Sequence, residues 1–169
     1  MKRCRTLAAL LLLVLLSSSS LAATWVYSDF GNLATSISIE TEAKSGAVGD
    51  LSMPLSVCPL NSEYHCFKLG SLSFSVPKRS DSGSRSWSYE GQTYVVVRSQ
   101  SSAHILGRQV DVLTIDSMSQ SPQMRFYYSY DAGLLALRGI GGDSGVLVLQ
   151  EQCGFGASKK CVDANKPIK

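Results

Sequence analysis

The chain has 169 residues, of which 44% are hydrophobic, 16 are basic and 13 are acidic. Lys2, Arg3 and Arg5 lie within the first 22 residues, which contain no acid, so a mature chain without that segment has a net charge of zero. Nucleic-acid-binding proteins need a basic patch to neutralise phosphates, and the scattered bases of this chain therefore exclude nucleic acid as a partner.

The first 22 residues have the organisation of a secretory signal peptide. A basic stretch at 1–5 precedes ten apolar residues at 7–16, and residues 17–23 supply small side chains. A membrane-spanning helix needs about 20 apolar residues, so cleavage after Ala22 or Ala23 is favoured over a retained anchor. We expect an exported protein, periplasmic or extracellular, with no transmembrane anchor after processing.

The first half of the mature chain alternates apolar and polar residues, which is the pattern of half-buried strands. Strands are expected around Trp25 and Tyr27, around Ile37 and Ile39, and over 51–57, where Pro54 favours an edge or an exposed half. Between 67–69 and 72–76 the apolar phase changes, and Gly70 is interpreted as a bulge that makes the change. The segment 78–86 is expected to be an exposed loop.

The second half continues the same pattern. Trp87 and Tyr89 lead through a turn at 90–92 into a strand at 94–97, and a polar connection is expected at 99–102. A hairpin over 105–115 turns at Gly107. The strongest hairpin signal spans 124–137, where Gly133 is expected in the left-handed conformation, and a last strand follows at 146–149.

These patterns predict a mostly β protein with little helix. We expect a single antiparallel β-sandwich, barrel or curved sheet of about eight or nine short strands, and sequence does not choose among these closures. The expected organisation is a signal peptide at 1–22, a β-rich domain at 23–152 and a polar C-terminal tail at 153–169 that has little to bury.

Four cysteines remain after removal of the signal peptide, namely Cys58, Cys66, Cys153 and Cys161. Disulfides persist in exported proteins, and four cysteines allow three pairings. Pairing Cys58 with Cys66 and Cys153 with Cys161 closes the shortest loops and is entropically the easiest arrangement. The spacing does not match that of a zinc site, and we expect neither metal nor cofactor.

The turn Gly142-Asp143-Ser144-Gly145 resembles the sequence around the nucleophile of chymotrypsin-like serine proteases, and Ala103-His104 resembles the sequence around their base. That resemblance implies a hydrolase in which Ser144 attacks and His104 accepts its proton. The two residues are only 40 positions apart, whereas the family places most of two barrels between them. We therefore interpret the motif as a glycine-rich turn and keep a hydrolase as an alternative.

The remaining polar residues form no clear catalytic group. His65 and His104 are 39 positions apart and have no identifiable partner. Asp111 and Asp116 lie on opposite strand phases, and Glu40 and Glu42 are typical of a solvated face.

A set of aromatic residues could form a ligand surface. Trp87, Tyr89, Tyr128 and Tyr130 are the candidates, because aromatic side chains stack on sugars or pack against apolar ligands. The alternation of Phe126, Tyr128 and Tyr130 fits a core face equally well.

The sequence therefore favours an exported, non-catalytic β-domain that binds an apolar ligand or an envelope protein. A serine hydrolase is one alternative. A secreted protease inhibitor that presents the disulfide-closed loop 59–65 is the other.

Overall fold

The structure is a computed structural model that describes residues 23–32, 35–78, 85–105, 107–119, 121–141 and 145–164. Residues 1–22, the expected signal peptide, lie outside that range. The described residues form twelve strands and one short helix, α1 at Lys159–Ala164. The strands are β1 Thr24–Asp29, β2 Ser36–Glu40, β3 Ser45–Val48, β4 Leu51–Val57, β5 Tyr64–Leu69, β6 Leu72–Pro77, β7 Ser86–Tyr89, β8 Gln92–Ile105, β9 Arg108–Ser117, β10 Met124–Ser129, β11 Gly133–Gly139 and β12 Leu147–Leu149.

All twelve strands belong to one antiparallel sheet that is nearly closed into a barrel, in the order β6-β5-β4-β3-β2-β1-β12-β11-β10-β9-β8-β7. Strands that follow one another in sequence are neighbours in the sheet, because tight turns join them. Gly49, Gly70 and Gly91 supply the positive φ that such turns require. The exception is the pair β6 and β7, which lie at the two ends of the sheet order. The pairing of β12 with β1 joins the two halves of the sheet.

The expected all-β class is confirmed, but the expected eight or nine strands are too few. β3 was not anticipated, because its inward positions are Gly46 and Val48 and the strand shows little apolar alternation. A side chain at Gly46 would collide with the Ser38 carbonyl oxygen and the Leu69 side chain. The polar connection expected at 99–102 is also wrong, because β8 runs through it with irregular pairing to β9.

Two local interpretations change as well. Gly70 forms the tight turn between β5 and β6 rather than a bulge, because Leu69 pairs directly with Leu72. Pro54 does not mark an edge strand, but it does lie in an exposed half of β4, which was the other alternative. It lies where β4 changes partner, since residues 51–54 pair with β3 and residues 55–57 pair with β5.

Aromatic side chains fill the interior. Phe74 of β6 contacts Phe126 and Tyr128 of β10, with ring centroids 5.0 and 5.9 Å apart. Because β6 and β10 are far apart in the sheet order, these contacts cross the barrel interior. The core-face interpretation of Phe126 and Tyr128 is therefore confirmed, as both are fully buried.

The two end strands, β6 and β7, meet through side chains rather than a backbone ladder. Trp87 of β7 donates its indole N–H to the Ser75 carbonyl oxygen at 3.2 Å. The Tyr94 hydroxyl of β8 lies 3.1 Å from the Ser73 hydroxyl of β6. Ser73 and Ser75 alternate with the core residues of β6 and are nevertheless buried, so β7 and β8 overlap the outer face of this end strand.

The segment after Cys153 contributes to the core, contrary to the expectation of a tail with little to bury. Phe155 is 7% exposed and packs against Trp25, Phe67 and Phe74. The two disulfides expected from the short loops are present, joining Cys58 to Cys66 and Cys153 to Cys161. The second bridge packs with Val110, Val112 and Leu135 in a separate buried cluster. The described residues contain no helix of the length and apolarity that a membrane crossing requires.

Candidate ligand-binding groove

The barrel has two unlike ends, because successive turns of an antiparallel meander alternate between them. One end, here called the capped end, carries the β8–β9 turn, the β10–β11 turn and residues 153–158. Backbone groups of that segment bond to the β10–β11 turn, with Gly154 N–H donating to Ala132 at 2.7 Å and Leu134 N–H donating to Phe155 at 2.9 Å. The other end, here called the open end, carries the β3–β4, β5–β6, β9–β10 and β11–β12 connections.

An apolar groove of about 250 Å³ lies at the open end. Its floor is formed by core residues, since Ile37, Leu69 and Leu72 are all less than 10% exposed. Its walls are the half-buried thioether side chains of Met53 and Met124. The groove is therefore continuous with the barrel interior. The remaining lining residues are Val48, Leu51, Ser71 and Pro122.

The pairing register explains why apolar side chains line this groove. Ile37 pairs with Val48, Val48 pairs with Leu51, and opposite residues of an antiparallel pair share one face. Val48 and Leu51 therefore continue the inward face of β2, at the point where the barrel stops covering it. They are 41% and 66% exposed as a result.

Further exposed apolar side chains lie at the same end of the barrel as the groove. Of the eight large hydrophobic side chains that are exposed in the described part of the chain, five lie at the open end. We call these five residues the apolar rim, and they are Phe30, Val48, Leu51, Met118 and Val146. A concentration of apolar surface at one end of a soluble fold is typical of a binding site.

The polar groups at the open end organise its turns. Asp29 lies at the end of β1, and its carboxylate accepts the Gly31 N–H at 2.8 Å. The same carboxylate lies directly against Gly145, leaving no room for a side chain there. The residues that line the groove itself carry no charge. The groove is therefore suited to an apolar ligand.

The four aromatic residues considered as a ligand surface do not come together. Trp87 stacks on Tyr94 with centroids 5.7 Å apart, and Tyr89 packs against Tyr64 at 5.2 Å. Tyr128 lies three strands away in the sheet and is fully buried, with its hydroxyl donating to Gly156 at 2.9 Å. Burial raises the pKa of Tyr128. Tyr130 is half-buried and packs edge-on against Tyr128, so it lies against the core and away from Trp87 and Tyr89.

Of the candidate hydrolase residues, His104 is described by the structure and Ser144 is not. Asp143 and Ser144 lie outside the described residues, but the neighbouring Gly145 contacts Asp29 at the open end. His104 is exposed and pairs with Gln109 beside the β8–β9 turn at the capped end. Asp116 accepts two hydrogen bonds from Arg125, at 2.7 and 2.8 Å, and so forms a structural ion pair.

His65 is the half-buried histidine, and it points inward from β5 at the capped end. Its ring lies against Gly156 of the C-terminal segment. Burial, and then the charge of Lys78, lower the pKa of His65. The described residues contain no group of three or more His, Cys, Asp or Glu side chains that could hold a metal ion.

The disulfide-closed loop 59–65 is held by hydrogen bonds to its backbone and exposes one leucine side chain. Ser62 N–H donates to Pro59 at 2.9 Å, which makes residues 59–62 a tight turn. The Lys78 ammonium donates to the Leu60 carbonyl oxygen at 2.8 Å. The Leu60 side chain is 99% exposed at the tip of the loop.

The groove escaped sequence reasoning because its walls come from separate hairpins. The available signal was local: Val48 and Leu51 flank a turn and continue an inward phase, yet each is a terminal strand residue. Comparisons with protein-family models, with curated proteins and with solved structures found no match for this chain.

Proposed function

We propose that this chain is an exported, non-catalytic β-barrel protein that binds an apolar ligand in the groove at the open end. The observation that carries the proposal is the groove itself, whose uncharged lining continues the core into solvent. An apolar concavity with few polar groups is the usual form of a small-ligand site. Its volume exceeds the 150 Å³ or so of an engineered cavity that holds benzene.

Export is supported by the two disulfides and by the sequence of residues 1–22. Disulfides of this kind persist in oxidising compartments. The test is the intact mass of the chain recovered from a secreting host. A mass that matches a chain beginning at Ala23 or Thr24 supports export with processing. A mass that matches a chain still carrying residues 1–22 contradicts it.

Ligand binding is tested with an environment-sensitive apolar fluorophore such as N-phenyl-1-naphthylamine. Leu51→Glu places a charge on the groove wall at a side chain that is 66% exposed, so the fold should tolerate it. The fluorophore affinity should fall at least about tenfold, because a carboxylate in an apolar site is costly to desolvate. The matched control is Leu60→Glu at the capped end, which should bind like the parent protein. Equal binding by all three proteins would contradict the proposal.

Protease inhibition remains a second candidate because of Leu60. A fully exposed leucine on a disulfide-closed loop could enter the specificity pocket of a protease, and rigidity would lower the entropic cost of binding. The tight turn at 59–62 differs, however, from the extended backbone of a bound substrate. Inhibition of a serine-protease panel that disappears on reduction and in Leu60→Gly would support this candidate.

A serine hydrolase receives no support from the arrangement, because Gly145 and His104 lie at opposite ends of the barrel. Turnover of an ester substrate by the parent protein, absent in Ser144→Ala, would nevertheless establish a hydrolase.

A further inference from the structure

We infer that the groove takes a single unbranched acyl chain, supplied by a lipid bilayer onto which the apolar rim docks. This inference rests on the proposed function, because it names the ligand class of the same groove. Three features of the open end carry it: the chemistry of the lining, the shape of the cavity and the position of the rim.

The lining chemistry selects a saturated chain over other small ligands. The groove is lined by aliphatic and thioether side chains, with one hydroxyl at Ser71 and no aromatic ring. Sugars and nucleobases are held by stacking on aromatic rings and by directed hydrogen bonds, and this groove offers no ring and only one hydroxyl. A methylene chain needs neither, and gains free energy in proportion to the apolar area that it buries.

The shape of the groove suits a flexible chain. The lining residues come from β2 to β6 on one side and from Pro122 and Met124 on the other, so the groove runs between two parts of the barrel wall. Met53 and Met124 adapt to an irregular occupant, because methionine is unbranched and has three rotatable bonds. The volume of about 250 Å³ exceeds the roughly 150 Å³ of an engineered cavity that holds benzene, so a chain of several methylene groups fits.

The apolar rim indicates the source of the acyl chain. Phe30, Met118 and Val146 belong to the rim but not to the lining, and they are 73%, 50% and 37% exposed. They lie in three different connections at the open end, so an apolar phase that approaches this end would meet apolar side chains from all three connections. A chain that leaves such a phase would enter the groove without crossing water.

Charge plays little part in this docking. Asp50 is exposed in the β3–β4 turn of the open end and opposes attraction to anionic headgroups. Insertion of the rim is therefore driven by apolar area, as with interfacial segments that bind bilayers through their apolar face. Binding to neutral vesicles should persist at high salt.

The first experiment tests the ligand class by measuring the affinity of fatty acids in solution. Saturated fatty acids of six to fourteen carbons, kept below their micellar concentrations, compete with the fluorophore. Affinity should rise about fourfold per added methylene and level off once the chain is long enough to fill the groove. Adamantane carboxylate, a rigid acid, should bind at least tenfold more weakly than decanoate.

The possible outcomes distinguish a failure of the acyl-chain inference from a failure of the proposed function. If the rigid acid competes as well as decanoate, or if chain length has no effect, the acyl-chain inference fails while apolar binding stands. If Leu51→Glu binds the fluorophore as tightly as the parent, the proposed function itself fails.

The second experiment distinguishes a bilayer from free fatty acid as the source. Neutral phosphatidylcholine vesicles are loaded with a pyrene-labelled fatty acid, and transfer to the protein is followed by fluorescence. Phe30→Ser should slow transfer at least threefold and leave the affinity for decanoate in solution unchanged. The control Val97→Ser removes an exposed side chain from β8, outside the rim, and should change neither value. Unchanged transfer in Phe30→Ser would overturn the bilayer source.

Discussion

The Phe155 N–H donates a hydrogen bond to the Tyr27 hydroxyl at 3.3 Å, across 128 positions of the chain. The same hydroxyl donates to the Leu134 carbonyl oxygen at 3.1 Å. Burial raises the pKa of Tyr27 far above its usual value, so the hydroxyl keeps its proton at every physiological pH. One side chain of β1 thus fixes both β11 and the C-terminal segment.

Tyr27→Phe should destabilise the protein by about 1–3 kcal/mol, because it removes this acceptor from a buried backbone N–H. Urea unfolding followed by circular dichroism measures the change. Tyr64→Phe is the matched control on a half-buried ring, and should change the free energy of unfolding by less than about 0.5 kcal/mol. Equal effects in the two variants would show that the Tyr27 hydroxyl has no special role.

Gly154→Ala should destabilise by about 3 kcal/mol or more, at the upper end of the cost of overpacking. A Cβ at this position would collide with the Leu134 backbone, which cannot move without disturbing β11. Gly91→Ala is the comparison, because Gly91 has a φ of 77° in open space and should cost only the roughly 1–2 kcal/mol of a left-handed backbone. A smaller effect at Gly154 than at Gly91 would contradict the close packing of the C-terminal segment.

Each disulfide closes a loop with a sequence separation of eight and should contribute about 2.5 kcal/mol in the chain-entropy model. Replacing Cys153 and Cys161 together by alanine should cost more than replacing Cys58 and Cys66, because the C-terminal bridge also holds Phe155 in the core. Urea unfolding of the two double variants gives the comparison. The reverse order would indicate that Phe155 stays in place without its bridge.

Stability should fall as the pH drops below about 6.5, the usual pKa of histidine. The pKa of His65 is lower in the folded protein than in the unfolded chain, so the unfolded chain binds more protons in that range and is favoured by acid. Thermal midpoints measured between pH 7.5 and pH 5 should decline in the parent and decline less in His65→Gln. The exposed His104 is the control, since His104→Gln should follow the parent. Identical pH profiles for the parent and His65→Gln would show that His65 does not cause the loss of stability in acid.

Several elements followed from the sequence because the relevant forces are local. The β10–β11 hairpin was anticipated from the alternation of Met124, Phe126 and Tyr128, and Gly133 has the expected left-handed φ of 80°. The disulfide pairing was anticipated because short loops are the easiest to close. β3 escaped because a glycine occupies the inward position that an apolar residue would normally mark.

The candidate site was far less predictable. The sequence left the aromatic residues as either a core face or a ligand surface, and in the structure Tyr128 is buried and Trp87 covers the edge of β6. The groove instead depends on aliphatic residues such as Val48 and Met124, which lie 76 positions apart and look like ordinary core residues. No local pattern distinguishes a core residue at the middle of a strand from one where the barrel leaves it uncovered.

The sequence by itself determined the all-β class, most strand positions and turns, and the cysteine pairs, since each depends on neighbours within about ten residues. Only the tertiary structure decided the rest: that β12 enters between β1 and β11, that Phe155 seals one end, and that the opposite end remains apolar and uncovered. These features depend on residues that are far apart in the sequence: Tyr27 and Phe155 lie 128 positions apart, and Val48 and Met124 lie 76 positions apart. The curvature of the sheet determines which of these residues meet. That curvature cannot be deduced from the alternation of apolar and polar residues along a single strand.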